Sequence, residues 1–304
     1  MSFRSIAGFG VKLCISVGIL YLIFSRIELP RIGEVLLTTG WWRIGLIAIA
    51  GLGVWCVEYQ RFVTALLPII DRDKEMPLWR VFFSGYAFRF VIPGGHGELG
   101  RMLFISGSYS RRLLAYIIDK GSLAVVVLLT GLIGIWTIYR QYRSYYWFLT
   151  IMIPILILLI GIIYRRLRRK ISGIGKYPYR TVLPITIPLS LLHILLMALQ
   201  YWLVLRCFDV SFWAACGTVS VVMMALMLPV SLAGLGVREW ISMQLLAQFD
   251  ITREVALLAP LLVFLGNVLV PALIGVGTML LFKMKLRLRT KIPDYSNSND
   301  AMEK

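Results

Sequence analysis

Residues 89–101 read Arg-Phe-Val-Ile-Pro-Gly-Gly-His-Gly-Glu-Leu-Gly-Arg, and residues 229–239 read Pro-Val-Ser-Leu-Ala-Gly-Leu-Gly-Val-Arg-Glu. Both stretches interrupt apolar sequence, the first within a region at about 79–106 and the second within one at about 213–249. Proline ends a helix, and glycine permits the turn that follows. A full crossing takes about 20 apolar residues, and neither flank of either break provides one comfortably. Each region therefore reads as a re-entrant hairpin, two half-helices meeting inside a membrane.

The surrounding sequence supplies the membrane spans. Six segments are apolar enough to cross a bilayer, at about 5–25, 42–67, 113–138, 146–164, 182–206 and 254–282. Of 304 residues, 59% are hydrophobic and 15% charged, where a soluble domain runs nearer ~25% charged. So apolar a chain cannot cover a water-soluble globule with polar surface, which excludes a soluble enzyme, a disordered protein and a secreted disulfide scaffold. The expected fold class is an all-α polytopic membrane protein of about six full spans plus two re-entrant helical hairpins, in one transmembrane domain over 1–289. The polar stretch 290–304 reads as a disordered cytoplasmic tail. The first apolar run, with Arg4 and Lys12, resembles a signal peptide. It lacks a small-x-small cleavage site and is followed by further spans, so it reads as a retained first helix.

Charge sets the expected orientation. The net charge of +17 would suggest nucleic acid on a soluble protein, but here the basic residues bunch at the ends of apolar segments and no basic soluble domain exists. Cytoplasmic loops are rich in Lys and Arg. The loop 164–180 carries Arg165, Arg166, Arg168, Arg169, Lys170, Lys176 and Arg180, and the C-terminal flank carries Lys283, Lys285, Arg287, Arg289 and Lys291. Placing both inside sets the path. Arg111, Arg112 and the segment 68–80 lie inside, Arg140 and Arg143 outside, and both termini are cytoplasmic. The region 79–106 then begins and ends inside, and 213–249 begins and ends outside. Two spans, a hairpin and a third span repeat with opposite orientation, giving inverted repeats at about 5–138 and 146–282. Broken helices at corresponding positions of such repeats point to a transport site near the midplane.

A charge at the bilayer centre costs roughly 2.5–3.5 kcal/mol on insertion scales, so charges kept there need a reason. The candidates are Glu58, Arg61, Arg89, His96, Glu98, Arg101, Asp119, Lys120, Arg238 and Glu239, gathered at the hairpins and the helices beside them. In the hairpins, Gly94, Gly95 and Gly97 precede Glu98 and Arg101, while Gly234 and Gly236 precede Arg238 and Glu239. Each glycine turn opens a half-helix whose first N–H groups lack internal partners and whose dipole is positive at the turn. Two such ends are expected to converge on one anionic group, each strengthened by an arginine. Glu98 with Arg101 and Glu58 with Arg61 are also i,i+3 pairs, which can serve as internal ion pairs. His96 sits in the first turn, where it can relay a proton. His193, on an apolar helix, reads as a packed residue.

Other signatures are missing from the sequence. It holds no H-E-x-x-H, no Cys/His metal cluster and no G-x-S-x-G, so no metal or cofactor is expected. Cys14, Cys56, Cys207 and Cys216 read as buried small hydrophobes, with a Cys207–Cys216 bridge as the open alternative. Trp41, Trp42, Tyr145, Tyr146 and Trp147 flank spans and read as interfacial anchors.

The two interrupted stretches, with Asp119-Lys120 in the helix between them, resemble the membrane region of lysylphosphatidylglycerol synthases, a superfamily with many stand-alone flippase-like proteins. The resemblance covers roughly 5–285. The second motif, P-x-x-x-x-G-x-G-x-R-E, is fairly specific, and the first, P-x-x-x-G-E-x-x-R, moderately so. It implies lipid translocation or lipid handling in a cytoplasmic membrane, and it points to Pro93, Gly97, Glu98, Arg101, Gly234, Gly236, Arg238 and Glu239. A further acidic residue often follows the acidic-basic pair in that family, and here Gly121-Ser122 follows instead. No soluble aminoacyl-transferase domain follows residue 290, so lysine transfer is not expected of this chain. The expected function is a lipid flippase or transporter with membrane lipids as partners, moving an anionic or aminoacylated phospholipid or a polyprenyl-phosphate-linked lipid across the cytoplasmic membrane with its head group bound between the hairpins. The alternatives are a membrane-embedded lipid or polyprenyl-phosphate-sugar transferase and a non-transporting accessory subunit.

Overall fold

The computed structural model of the chain describes residues 37, 40–70, 75–91, 97–138, 177–227 and 234–282. The expected spans at 5–25 and 146–164 and the tail 290–304 lie outside the described residues, as do Pro93 and His96.

Among the described residues the chain is helical, with no strand. Helix α1 is Trp41–Leu66, 26 residues and about 39 Å at 1.5 Å per residue. A short 3-10 turn opening at Leu67-Pro68 ends it. Helix α3 is Tyr109–Ile138 and α4 is Tyr179–Leu205. Pro184 and Pro188 lie within the first three turns of α4, and the helix runs on past both. Helices α7, Arg253–Phe264, and α8, Val270–Leu281, are joined by a π turn at Leu265–Leu269 into one rod. Among the described residues, four stretches are thus long and apolar enough to cross a membrane, Trp41–Ile69, Tyr109–Trp136, Tyr179–Phe208 and Arg253–Leu281. They correspond to the sequence-read spans at 42–67, 113–138, 182–206 and 254–282, with α3 starting four residues earlier than expected. The chain is a multi-pass membrane protein.

Each of the two interrupted regions is a pair of short helices. In the first, α2 (Leu78–Val91, 14 residues) is followed by a 3-10 helix, Gly97–Phe104. In the second, α5 (Phe212–Leu226, 15 residues) is followed by α6 (Val237–Leu246, 10 residues). Even the longer arms extend only about 21–23 Å, short of the ~30 Å hydrocarbon core. The first chain doubles back on itself. Arg101 packs on Gly85 and Gly97 on Phe88, and the Phe88 and Phe104 rings lie 5.9 Å apart. The second does the same, with Gly234 on Leu226 and Leu245 in one cluster with Val221 and Val222.

The elements pair reciprocally. Helix α1 lies along α4, α3 along α5, and the α8 end of the rod along α2. The last two contacts bring backbones together. A Cβ on Gly134 of α3 would stand 2.8 Å from the Gly217 carbonyl oxygen of α5, and one on Gly275 of α8 would stand 2.1 Å from the Phe83 carbonyl oxygen of α2. Small residues at such crossings let membrane helices gain van der Waals contact where no hydrophobic drive acts between them. Two large apolar clusters flank the middle, one built on Tyr201, Val204, Val219 and Val255, the other on Phe62, Phe82, Tyr86 and Phe104.

The cysteines differ from the sequence reading. Cys56 and Cys207 are exposed, Cys216 is half-buried, and all three are free. The Cys207–Cys216 bridge does not form. A small apolar thiol costs little facing lipid, so burial is not needed to keep it in a span. Trp41 and Trp42 are exposed at the start of α1, as anchors require.

Candidate buried charge network

Four elements bring seven of the sequence-read charges into one group, and a fifth adds a histidine. Helix α1 contributes Glu58 and Arg61, α2 contributes Arg89, the 3-10 helix Glu98 and Arg101, and α3 Asp119 and Lys120. The fifth element, α4, brings His193.

Asp119 is the hub. It lies ten residues into α3, about 15 Å along the axis. Its Oδ1 accepts from Arg61 Nε at 2.7 Å and its Oδ2 from Arg101 Nη2 at 2.7 Å. All three side chains are at most 1% exposed. One carboxylate thereby clamps α1 and the 3-10 helix to α3. The Arg101 guanidinium also lies over the Phe62 ring, 4.2 Å from its centroid, a geometry that stabilises a desolvated cation.

Glu98 is the second junction. Its Oε1 is 3.6 Å from Arg89 Nη1, and its Oε2 faces Arg101 Nη1 at 3.8 Å and Lys120 Nζ. The 3-10 conformation makes this possible. Residues three apart eclipse one another in a 3-10 helix, so Glu98 and Arg101 stand on one face toward α3. Gly97 and Gly100 eclipse on the neighbouring face, against Phe88. A Cβ on Gly97 would lie 2.1 Å from the Phe88 carbonyl oxygen, and one on Gly100 would lie 2.8 Å from the Phe88 ring. The half-helix opening at Gly97 is therefore a 3-10 helix whose glycines allow close packing.

Glu58 is held differently. Tyr86 donates its hydroxyl hydrogen to Oε2, and His193 Nδ1 stands 3.5 Å from Oε1. Among the described residues, charge counting gives four cations (Arg61, Arg89, Arg101, Lys120) against three carboxylates (Glu58, Glu98, Asp119), an excess of one positive charge with His193 neutral. Among the described residues, Arg61 Nη1 and Arg101 Nε are buried with no hydrogen-bond partner. An unsatisfied buried donor costs about 1–3 kcal/mol, more when charged.

The second hairpin carries its own group. Arg238 donates to Glu239 Oε1, from Nε at 3.0 Å and also from Nη2. The other Glu239 oxygen accepts the Gly236 N–H at 2.8 Å, so the α6 N-terminus is capped by its own carboxylate, and one of the amides read from sequence as free for a ligand is taken. Gly234 and Gly236 hold positive φ of 81° and 83°, a conformation open to glycine at little cost. The Arg238 guanidinium lies 4.5 Å from the Phe264 ring centroid. Among the described residues no hydrogen bond or ion pair joins this group to the Asp119 network.

Several contributors were not singled out from sequence. His193, read as packing, faces Glu58, and Tyr86 completes that contact. Gln200 and Asn267 form a reciprocal amide pair. Asn267 Nδ2 donates to Gln200 Oε1 at 2.7 Å, and Gln200 Nε2 donates to Asn267 Oδ1 at 3.2 Å and to the Ile47 carbonyl at 3.0 Å. This ties α1, α4 and the π turn. Neutral amides inside apolar runs were the available signal, but attention to formal charge passes over them.

No curated protein matches the chain. The family model described as the lysylphosphatidylglycerol synthase TM region matches residues 10–275, most of the 304 residues, so the chain belongs to that family.

Proposed function

We propose that this protein moves an anionic lipid between the leaflets of a cytoplasmic (inner) membrane, its head group held at the Asp119 network. The carrying observation is the network's excess of one positive charge among the described residues, with guanidinium hydrogens on buried Arg61 and Arg101 that find no partner there. A phosphodiester brings one negative charge and acceptor oxygens matched to guanidinium donors. Arg89 and Lys120, 27% and 25% exposed, form the approachable edge of the network.

The site includes Pro93 and His96 of the first turn, with Glu98 and Asp119 orienting the cations. Arg238, Glu239, Gly234 and Gly236 are the counterpart in the second half. The short arms of the two interrupted regions support their reading as re-entrant hairpins. The reciprocal pairing of α3 with α5 and of α8 with α2 supports an inverted repeat, as each half's third span packs against the other half's hairpin. Alternating access then follows as one half rocks against the other. Both termini are cytoplasmic in this reading.

The test uses vesicles holding the purified protein and acyl-labelled fluorescent phosphatidylglycerol, with leaflet exchange followed by quenching from outside. Arg89→Gln and Arg101→Lys should each slow exchange by tenfold or more, since a charge-assisted contact is worth about 1.5–3 kcal/mol. Exchange at the wild-type rate in both variants, or no exchange above protein-free vesicles in the wild type, would overturn the proposal.

A further inference from the structure

We infer that Glu58 and His193 form a proton-binding site that couples the lipid's movement to the symport of one proton. The inference rests on the lipid-handling reading above and adds its energy source.

Glu58 differs from the other carboxylates of the network. Asp119 is held by two guanidiniums, and Glu98 faces Arg89, Arg101 and Lys120. Among the described residues no arginine or lysine lies in ion-pair range of Glu58; the nitrogen found there is His193 Nδ1, which carries charge only when protonated. The two Glu58 oxygens meet Tyr86 and His193, both groups that can give or take a proton where a guanidinium cannot. Access also differs. The Glu58 side chain is 15% exposed and His193 4%, so the pair runs from a reachable carboxyl to a buried imidazole. Facing Glu58 are Arg61 on its own helix, Tyr86 and Arg89 from α2, Glu98 from the 3-10 helix, Lys120 from α3 and His193 from α4.

The charge count gives the coupling its sign. With Glu58 ionised the network carries one excess positive charge, and with Glu58 protonated it carries two. A monoanionic head group therefore binds more tightly to the protonated site, and its binding in turn favours protonation, since linkage is reciprocal. The step is a proton transfer. A proton from the aqueous phase on the open side adds to a Glu58 carboxylate oxygen, with His193 Nδ1 as the neighbouring acceptor. It leaves to the other aqueous phase when the head group departs, and no other bond changes. One proton travels with one anion, so transport is electroneutral.

Vesicles of phosphatidylcholine containing labelled phosphatidylglycerol, the full-length protein and an entrapped pH dye read lipid and proton together. For the wild type, a one-unit pH gradient should enrich the label up to about tenfold in the leaflet facing the alkaline side, one pH unit being one decade in proton activity. Proton entry should accompany it, and an imposed membrane potential should have no effect. Glu58→Gln keeps the side-chain volume. Its proton uptake should fall to the protein-free background, and its lipid distribution should ignore the gradient. His193→Gln should weaken both responses. Lipid exchange without proton flux in the wild type, exchange driven by potential, or a Glu58→Gln protein that still follows the gradient would each overturn the coupling while leaving lipid movement standing. No lipid exchange in the wild type under any gradient would overturn the coupling together with the reading beneath it.

Discussion

Asp119→Asn isolates the central claim that one carboxylate neutralises two arginines. The substitution keeps shape and volume but removes the charge that Arg61 Nε and Arg101 Nη2 both reach at 2.7 Å. Breaking a buried pair by removing one partner costs about 3–5 kcal/mol, because the other charge is left uncompensated. Here two guanidiniums are stranded, although Arg101 keeps Glu98 at 3.8 Å and the Phe62 ring at 4.2 Å. Arg61 keeps the charge of Glu58 one turn before it on its own helix but, among the described residues, no partner on another element as near as Asp119, so the loss falls mainly on the α1–α3 contact. The expected destabilisation is about 3–5 kcal/mol. Adding Arg61→Met should recover part of it, since a buried pair replaced by apolar groups is often near neutral. The expected coupling in the double-mutant cycle is about 1–3 kcal/mol. Equilibrium unfolding in mixed micelles, followed by circular dichroism, measures all four proteins. An Asp119→Asn protein within about 1 kcal/mol of wild type, or a cycle whose terms simply add, would refute the reasoning.

Two further outcomes follow from packing and from the amide pair. Gly97→Ala puts a methyl 2.1 Å from the Phe88 carbonyl oxygen, so the 3-10 arm must move off α2. Overpacking of this kind costs about 1–3 kcal/mol, and leaflet exchange should fall with the displaced Glu98 and Arg101. Gln200→Leu leaves Asn267 and the Ile47 carbonyl without their partner. Interhelical hydrogen bonds in membranes average ~0.6 and reach ~1.7 kcal/mol, so a Gln200/Asn267 unfolding cycle should show coupling in that range, and none would mean that the pair adds nothing.

What could be read from sequence followed the strength of each physical signal. The spans at 42–67 and 182–206 were legible because long apolar runs leave a membrane few options. The breaks at 91–98 and 228–239 were legible because proline and glycine act locally. The 3-10 form of Gly97–Phe104 was not, because it depends on Phe88 arriving against Gly97 and Gly100. Asp119 was a candidate by its charge, but nothing along the chain joins it to Arg61, 58 residues away. His193 looks like any histidine on an apolar helix until α1 brings Glu58 opposite it. The asymmetry between the two hairpins, one wired into α1 and α3 and the other paired within itself, also lies beyond motif spacing.

The glycine crossings at Gly134 on Gly217 and Gly275 on Phe83 carry a mechanical consequence. A slip by one residue would set a Cβ where a glycine stood, 2.8 Å or 2.1 Å from the facing carbonyl oxygen, so each crossing keeps its register and works as a pivot and not as a track. Both pivots join an element ending by residue 138 to one starting at residue 212 or later, so the earlier and later parts of the bundle are pinned together at two points that carry no charge. A methyl set at either pivot would pry those parts apart while leaving every ion pair its own side chains.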